Sequence, residues 1–112
     1  MLIYKIFRAP EWATLQARGE THGAPIDIDD GYVHLSTAAQ SAETAAKHFA
    51  GEKGLVLLAL DADSLGDALK WEPSRGGQLF PHLYRALTLQ DVLWHKPLPL
   101  GPDGHVFPDG MA

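Results

Sequence analysis

Cysteine is absent from the 112 residues of this chain, which excludes disulfides, thiol nucleophiles and cysteine-ligated zinc. No apolar run approaches the roughly 20 residues that a membrane-spanning helix needs, and the N-terminus lacks the pattern of a signal peptide. Basic residues are also few, because nine Lys and Arg against fourteen Asp and Glu give a formal net charge of −5. They are scattered, so a nucleic-acid-binding surface is not expected. We therefore expect a cytoplasmic protein that contacts neither membranes nor nucleic acid.

What is present is the composition of a folded domain, with 46% hydrophobic and 21% charged residues. Residues 1–112 have the length of a single domain. From residue 97 onward, Pro and Gly supply seven of sixteen residues, which predicts a turn-rich C-terminal tail over residues 97–112, packed on the body. Asp103 and Gly104 favour a small hairpin in that tail, laying Val106 and Phe107 against the body.

Strand patterns are interspersed with two main helix patterns, which predicts an α+β fold with a small mixed or antiparallel sheet. The continuously apolar residues 55–60 predict a central strand that is covered on both faces. Pro81 is expected to interrupt the chain before residues 82–85. The other predicted strands cover residues 2–7, 32–36, 69–72 and 91–96.

The first main helix is predicted between Pro10, which suits a first turn, and Gly19, which suits a helix end. The second begins at Thr37, because Gln40 follows at the spacing of a capping box. Residues 20–30, between the two helices, are polar and contain Gly and Pro, so we expect a surface loop there. The predicted buried face of the second helix comprises Ala42, Ala45, Ala46 and Phe49.

The first candidate for a polar site is the segment 31–37. On a strand, Tyr32, His34 and Ser36 share one face, and the strand leads into a helix whose free N–H groups favour an anionic ligand. The alternative is that Ser36 and Thr37 cap the helix and that His34 is a half-buried histidine with satisfied hydrogen bonds.

The second candidate is the segment 71–84, which ends with His82 and Tyr84. Gly76 and Gly77 permit positive φ and close backbone approach, and the planar guanidinium of Arg75 suits a phosphate or a carboxylate. The alternative is an ordinary surface loop in which Arg75 forms a salt bridge.

Together the two segments predict one pocket for a small anionic or nucleotide-like ligand. The alternative is a protein-interaction module without catalytic activity, in which both segments only shape the fold. No metal is expected, because the histidines lack the spacing of a metal site. The oligomeric state is left open. The predicted ligand-binding residues are His34, Ser36, Thr37, Arg75, Gly76, Gly77, His82 and Tyr84.

At these segments the sequence resembles a family of bacterial and plant proteins known as domain-of-unknown-function family 952. Four strings carry the resemblance: GYVHLST at 31–37, ETAAKHF at 43–49, WEPSRGG at 71–77 and FPHLY at 80–84. The resemblance extends from about residue 3 to residue 107. It implies a compact α+β fold and brings no established activity.

The family is in turn distantly similar to ADP-ribosyltransferase-like folds, which bind NAD between two small sheets. That similarity implies a split sheet and NAD or a related nucleotide as cofactor. It also implies a second alternative function, an enzyme acting on NAD, in which His34 orients the ribose and Glu72 stabilises the cationic sugar. The opposing interpretation of Glu72 is a surface carboxylate or a partner of Arg75.

Overall fold

The computed structural model describes residues 1–111, except for the side chain of Arg75. It has three α-helices: α1 (Ala9–Arg18), α2 (Pro25–Asp30) and α3 (Ala38–His48). Turns of 3₁₀-helix cover Ala62–Ala68, Arg75–Gly77 and Leu89–Asp91. The strands are β1 (Leu2–Phe7), β2 (Glu20–Thr21), β3 (Val33–His34), β4 (Leu55–Asp61), β5 (Leu69–Pro73), β6 (Leu79–Leu83), β7 (Leu87–Thr88), β8 (Val92–Leu98), β9 (Leu100–Gly101) and β10 (Gly104–His105).

Two three-stranded antiparallel sheets form the frame, one ordered β1-β4-β8 and the other β3-β6-β5. They meet where Tyr4 of β1 bridges Ser36, just beyond β3, through hydrogen bonds of 2.7 and 2.9 Å between backbone N and O atoms. Two-stranded ladders pair β2 with β7 and β9 with β10. This architecture confirms the predicted α+β class, the two main helices and a small antiparallel sheet.

The first sheet is covered on both faces, as the apolar pattern of β4 predicts. Leu58 and Leu60 pack with Ile3 and Phe7 in one core cluster. Their neighbours along β4 pack with Tyr4 and Ile6 in a second cluster. Alternation along a strand sends successive side chains to opposite faces, so an apolar run such as β4 supplies both clusters.

Helix α3 begins as predicted, since the Thr37 hydroxyl accepts from Gln40 N and the Gln40 side chain accepts from Thr37 N. The prediction of its buried face is partly wrong, because Ala42 and Ala46 are exposed. Ser41 and Ala45 are buried instead. Ser41 is tolerated there because its hydroxyl donates to Thr37 O at 2.8 Å, which satisfies the polar group inside the helix.

The predicted loop over residues 20–30 is wrong, because this segment contains β2 and α2. Pro25 lies in the first turn of α2, and Gly31 ends the helix at φ 85°. Asp27 lies at the third position of α2 and accepts from Ala24 N through Oδ2 at 2.7 Å. Its side chain is almost fully buried, which a surface loop would not allow.

The predicted interruption at Pro81 is also wrong, since β6 runs through it. The Pro81 carbonyl accepts from Leu35 N at 3.0 Å. The backbone N and O atoms of one strand residue point to the same side of the strand. The position where proline lacks an N–H therefore also faces the segment after β3, and not β5. The pairing of Pro81 with Trp71 of β5 is therefore kept.

The tail forms the β9–β10 hairpin around residues 102 and 103. Phe107 and Met111 pack against the second core cluster, whereas Val106 is 54% exposed, contrary to its expected placement. Within residues 1–111, no helix is long and apolar enough to span a bilayer.

Candidate functional site

Pairing between β3 and β6 brings the two candidate segments together. His34 lies directly opposite His82, and Val33 lies opposite Leu83. The rings of His34 and His82 are 5.5 Å apart in an edge-on arrangement. An imidazole from each segment therefore faces the same space.

That space is a cavity of about 560 Å³. Side chains from β1, α2, α3 and the C-cap of α3 complete its wall, among them Lys5, Asp30 and Phe49. Arg8, which precedes α1, lies at the same wall. The two candidate segments contribute Tyr32, His34, Leu35, Ser36, Ser74, Phe80 and His82.

His34 is held at both ring nitrogens by carboxylates. Nδ1 lies 2.6 Å from Asp27 Oδ1, and Nε2 lies 3.0 Å from Asp30 Oδ2. The backbone N of His34 also donates to Asp27 Oδ1 at 3.0 Å. The ring is thus fixed between α2 and its own strand, and both nitrogens donate when the imidazole is protonated.

Lys5 completes this network from β1. Its Nζ lies 2.8 Å from Asp27 Oδ2 and donates to the His34 carbonyl at 3.0 Å. Burial alone would raise the pKa of Asp27, but the hydrogen bond from His34 and the charge of Lys5 outweigh it and hold that pKa below its ordinary value. Asp27 is therefore ionised at neutral pH and serves as the shared acceptor of the network.

A second carboxylate–histidine pair joins β5 to β6. His82 Nδ1 lies 2.8 Å from Glu72 Oε1, and the Tyr84 hydroxyl donates to the same oxygen at 2.5 Å. The hydrogen bond from Tyr84, followed by that from His82, lowers the pKa of Glu72. The same contact raises the pKa of Tyr84 to about 12, because ionised Glu72 favours the protonated phenol.

Tyr32 connects the two pairs. Its ring stacks on His82 at 4.2 Å between centroids, and it lies 4.6 Å from the ring of His34. Burial raises the pKa of Tyr32, and the nearby carboxylates of Asp30 and Glu72 add to the shift. The ring of Tyr32 therefore contacts the imidazoles of both pairs.

Arg8 supplies a cationic group to the cavity lining. Its Nε and Nη2 donate to the Glu52 carboxylate at 2.8 and 2.9 Å, and its guanidinium carbon lies 4.8 Å from the ring centre of Phe49. Hydrogen bonding to Glu52 raises the pKa of Arg8. The arginine is thus charged and positioned at the cavity.

The predicted site residues divide according to their position. His34, Ser36 and His82 line the cavity, with the Ser36 hydroxyl 3.0 Å from Thr44 Oγ1 of α3. Glu72 and Tyr84 lie behind His82 and do not line the cavity.

Thr37, Gly76 and Gly77 do not line the cavity. The Thr37 hydroxyl caps α3, and Gly76 and Gly77 have the expected positive φ of 64° and 78°. The predicted role of the Arg75 side chain falls outside the described residues.

Lys5, Arg8, Asp27 and Asp30 were not predicted from the sequence. The sequence did contain a signal for Lys5 and another for Asp27. Lys5 is the one charged position in an otherwise apolar strand pattern, and buried charges require a partner. Asp27 follows Pro25 at the spacing of a helix N-terminus, where a carboxylate at the third position accepts a backbone N–H.

Among the described residues, no group of three or more His, Asp or Glu side chains lies close enough together to hold a metal ion. The site is built from paired carboxylates and imidazoles, with the Tyr32 ring packed against both imidazoles. The chain is thus of the α+β class, with a cavity whose wall carries two histidines, His34 and His82, each paired with a carboxylate.

It belongs to the DUF952 family of proteins of unknown function, whose model matches residues 6–95. A crystal structure of protein CC0527 from Caulobacter crescentus has a TM-score of 0.90 to this chain at 50% identity, covering 94% of this chain and 92% of that one. A solution NMR structure of CC0527 gives a TM-score of 0.83 at 50% identity, with 93% and 90% covered. No curated protein matches the chain. The names of these relatives state no activity, so the similarity to ADP-ribosyltransferase-like folds stays a prediction.

Proposed function

We propose that this protein binds a small anionic, nucleotide-like ligand in the cavity formed by residues 31–37 and 71–84. The observation that carries the proposal is the pairing of β3 with β6, which places His34 and His82 on one cavity wall. The volume of about 560 Å³ lies within the roughly 300–1,000 Å³ that is typical of small-ligand pockets.

Aromatic side chains support a ligand with a planar ring. Tyr32, Phe49 and Phe80 all line the cavity. Planar rings gain from offset stacking on such side chains in addition to the burial of apolar surface. A heteroaromatic base matches this part of the wall.

The charged side chains support one anionic group on the ligand. Lys5 and Arg8 line the cavity, against Asp30 as the lining carboxylate among the described residues. Glu52 already neutralises part of the Arg8 charge. This balance of charges in the lining favours a ligand with a single phosphate or carboxylate over one with a polyphosphate chain.

Ligand-observed NMR and calorimetry with AMP, NAD and ADP-ribose, and with adenosine and inorganic phosphate as fragments, test the proposal. We expect Tyr32→Ala to weaken AMP and adenosine alike, and Arg8→Gln to weaken AMP more than adenosine. Arg18→Gln, at an exposed position at the end of α1, is the matched control and should bind as the wild type does. Absence of binding of every compound at millimolar concentration would contradict the proposal.

Exposed apolar residues on α2 favour the alternative of a protein-interaction module. Ile26 and Ile28 are 53% and 61% exposed, and Ile26 also lines the cavity. This alternative predicts that Ile28→Ser weakens capture of a protein partner while nucleotides fail to bind. The ADP-ribosyl-transfer alternative is tested by measuring nicotinamide release in the NAD samples for the wild type, Glu72→Gln and His34→Ala. Equal or absent release in all three would contradict it.

A further inference from the structure

We infer that Glu72 and His82 make the cavity a hydrolytic site, in which the His82 imidazole activates water against an ester group of the bound ligand. The inference rests on the proposed function, because the ligand supplies the ester. Its geometric basis is the pair formed by Glu72 Oε1 and His82 Nδ1 at 2.8 Å. Carboxylate–imidazole pairs of this kind orient a general base.

Glu72 determines which ring nitrogen of His82 is basic. An ionised carboxylate only accepts hydrogen bonds, so the proton of neutral His82 lies on Nδ1 and Nε2 carries the lone pair. Tyr84 donates to the same Glu72 oxygen and holds that carboxylate in place. Stacking of Tyr32 on the imidazole fixes the ring plane.

His82 Nε2 is available to a substrate. It has no hydrogen-bond partner within the described part of the chain, and no fully buried side-chain N or O atom there lacks a partner. Nε2 is therefore reachable by solvent, although the side chain is only 5% exposed, and the space that His82 lines is the cavity.

His34 differs from His82 in this respect. Asp27 and Asp30 occupy both of its ring nitrogens. A base needs one nitrogen free to accept a proton. His82 is thus the base of the site, and His34 is a fixed part of its wall.

The proposed step moves one proton and exchanges one bond. His82 Nε2 takes a proton from water while the water oxygen bonds to the carbon or phosphorus atom of the ester. The bond from that atom to the leaving oxygen then breaks, and the leaving oxygen receives the proton from His82. Glu72 stays ionised throughout and stabilises the transient imidazolium.

Hydrolysis of p-nitrophenyl acetate and p-nitrophenyl phosphate tests the inference and separates an acyl from a phosphoryl ester. We expect the wild type to hydrolyse one of them, with a rate about 100-fold lower in His82→Gln. Glu72→Gln should lower kcat at least tenfold with little change in KM, because it acts through His82. His95→Gln removes an exposed imidazole that packs against Trp12 and should leave the rate unchanged.

Imidazole nitrogen NMR of the wild type provides a measurement that does not depend on a variant folding. We expect neutral His82 to carry its proton on Nδ1, and Glu72→Gln to shift the tautomer towards Nε2–H. A wild-type Nε2–H tautomer, hydrolysis of neither probe, or a rate that survives His82→Gln or Glu72→Gln would overturn the inference. Nucleotide binding without hydrolysis rejects the inference alone, whereas probe hydrolysis without nucleotide binding rejects the proposed function alone.

Discussion

Lys5 and Asp27 form an ion pair that is shielded from water, with Nζ and Oδ2 2.8 Å apart and the two side chains 7% and 0% exposed. The pair ties β1 to α2, and the same aspartate fixes the ring of His34. The position of a cavity wall therefore depends on a charge interaction that lies outside the predicted site segments.

Asp27→Asn should lower the free energy of unfolding by roughly 3–5 kcal/mol, because it leaves the Lys5 ammonium buried without a counter-charge. Denaturant titration at neutral pH measures this loss. Lys5→Met combined with Asp27→Asn should recover part of it, since the unpaired buried charge is removed while the amide oxygen still accepts from a backbone N–H group. The control is Lys47→Gln, which removes the exposed pair with Glu43 at 3.9 Å and should cost under about 0.5 kcal/mol. If Asp27→Asn and the control variant lose the same free energy of unfolding, the assigned role of the buried pair is contradicted.

Stability should fall in acid partly because of Asp27. Its folded pKa lies below the ordinary value of 3.8, so the folded carboxyl binds a proton more weakly than the unfolded one. The contribution of ionised Asp27 to the free energy of unfolding is therefore complete above pH 3.8 and is lost as the pH falls through the folded pKa. Unfolding curves at pH 5, 4 and 3 should show the gap between wild type and Asp27→Asn narrowing towards pH 3. A difference in stability between the two proteins that widens in acid would contradict this prediction.

Tyr84 should ionise unusually late in an alkaline titration. Its hydrogen bond to Glu72 raises its pKa to about 12. Ultraviolet titration near 295 nm should therefore show a late phase that Tyr84→Phe removes. Glu72→Gln should move that phase to lower pH, because the amide no longer favours the protonated phenol. If neither change affects the late phase, that phase belongs to another tyrosine.

The features that the sequence predicted well are those with local causes. Alternation over residues 2–7 and the apolar run at 55–60 identify two strands of the first sheet. The spacing of Thr37 and Gln40 identifies the start of α3. In each case residues within a few positions of one another carry the signal, so no tertiary contact is needed to read it.

The features that were missed depend on distant contacts. The burial of Asp27 requires Lys5, which lies twenty-two positions away, and a six-residue helix that is too short for a periodic pattern. Pro81 fits a strand because its missing N–H faces the edge where β3 ends. The pairing of His34 with His82 depends on strand register, which local residue preferences do not determine.

Thr37→Ala should lower the free energy of unfolding by about 1 kcal/mol, because α3 loses the side-chain acceptor for Gln40 N. Nucleotide binding should be unchanged, since Thr37 does not line the cavity. Thr37→Ser retains the hydroxyl and should restore the stability. Thermal unfolding and calorimetry on the same samples measure both quantities. Weaker binding in Thr37→Ala than in Thr37→Ser would instead place this hydroxyl at the ligand.

Gly23→Ala should disturb the cavity through Asp27. A Cβ at Gly23 would overlap the Asp27 carboxylate, which is anchored by Lys5 and cannot move freely. The aspartate must shift, so the His34 ring loses one of its two carboxylate partners. Gly19→Ala is the matched control, because Gly19 also has a positive φ but a Cβ there meets no atom within 4 Å. Both variants should carry backbone strain of roughly 1–2 kcal/mol, but only Gly23→Ala should alter the imidazole signals of His34 and weaken nucleotide binding. If the two variants behave alike, Asp27 does not set the geometry of the cavity wall.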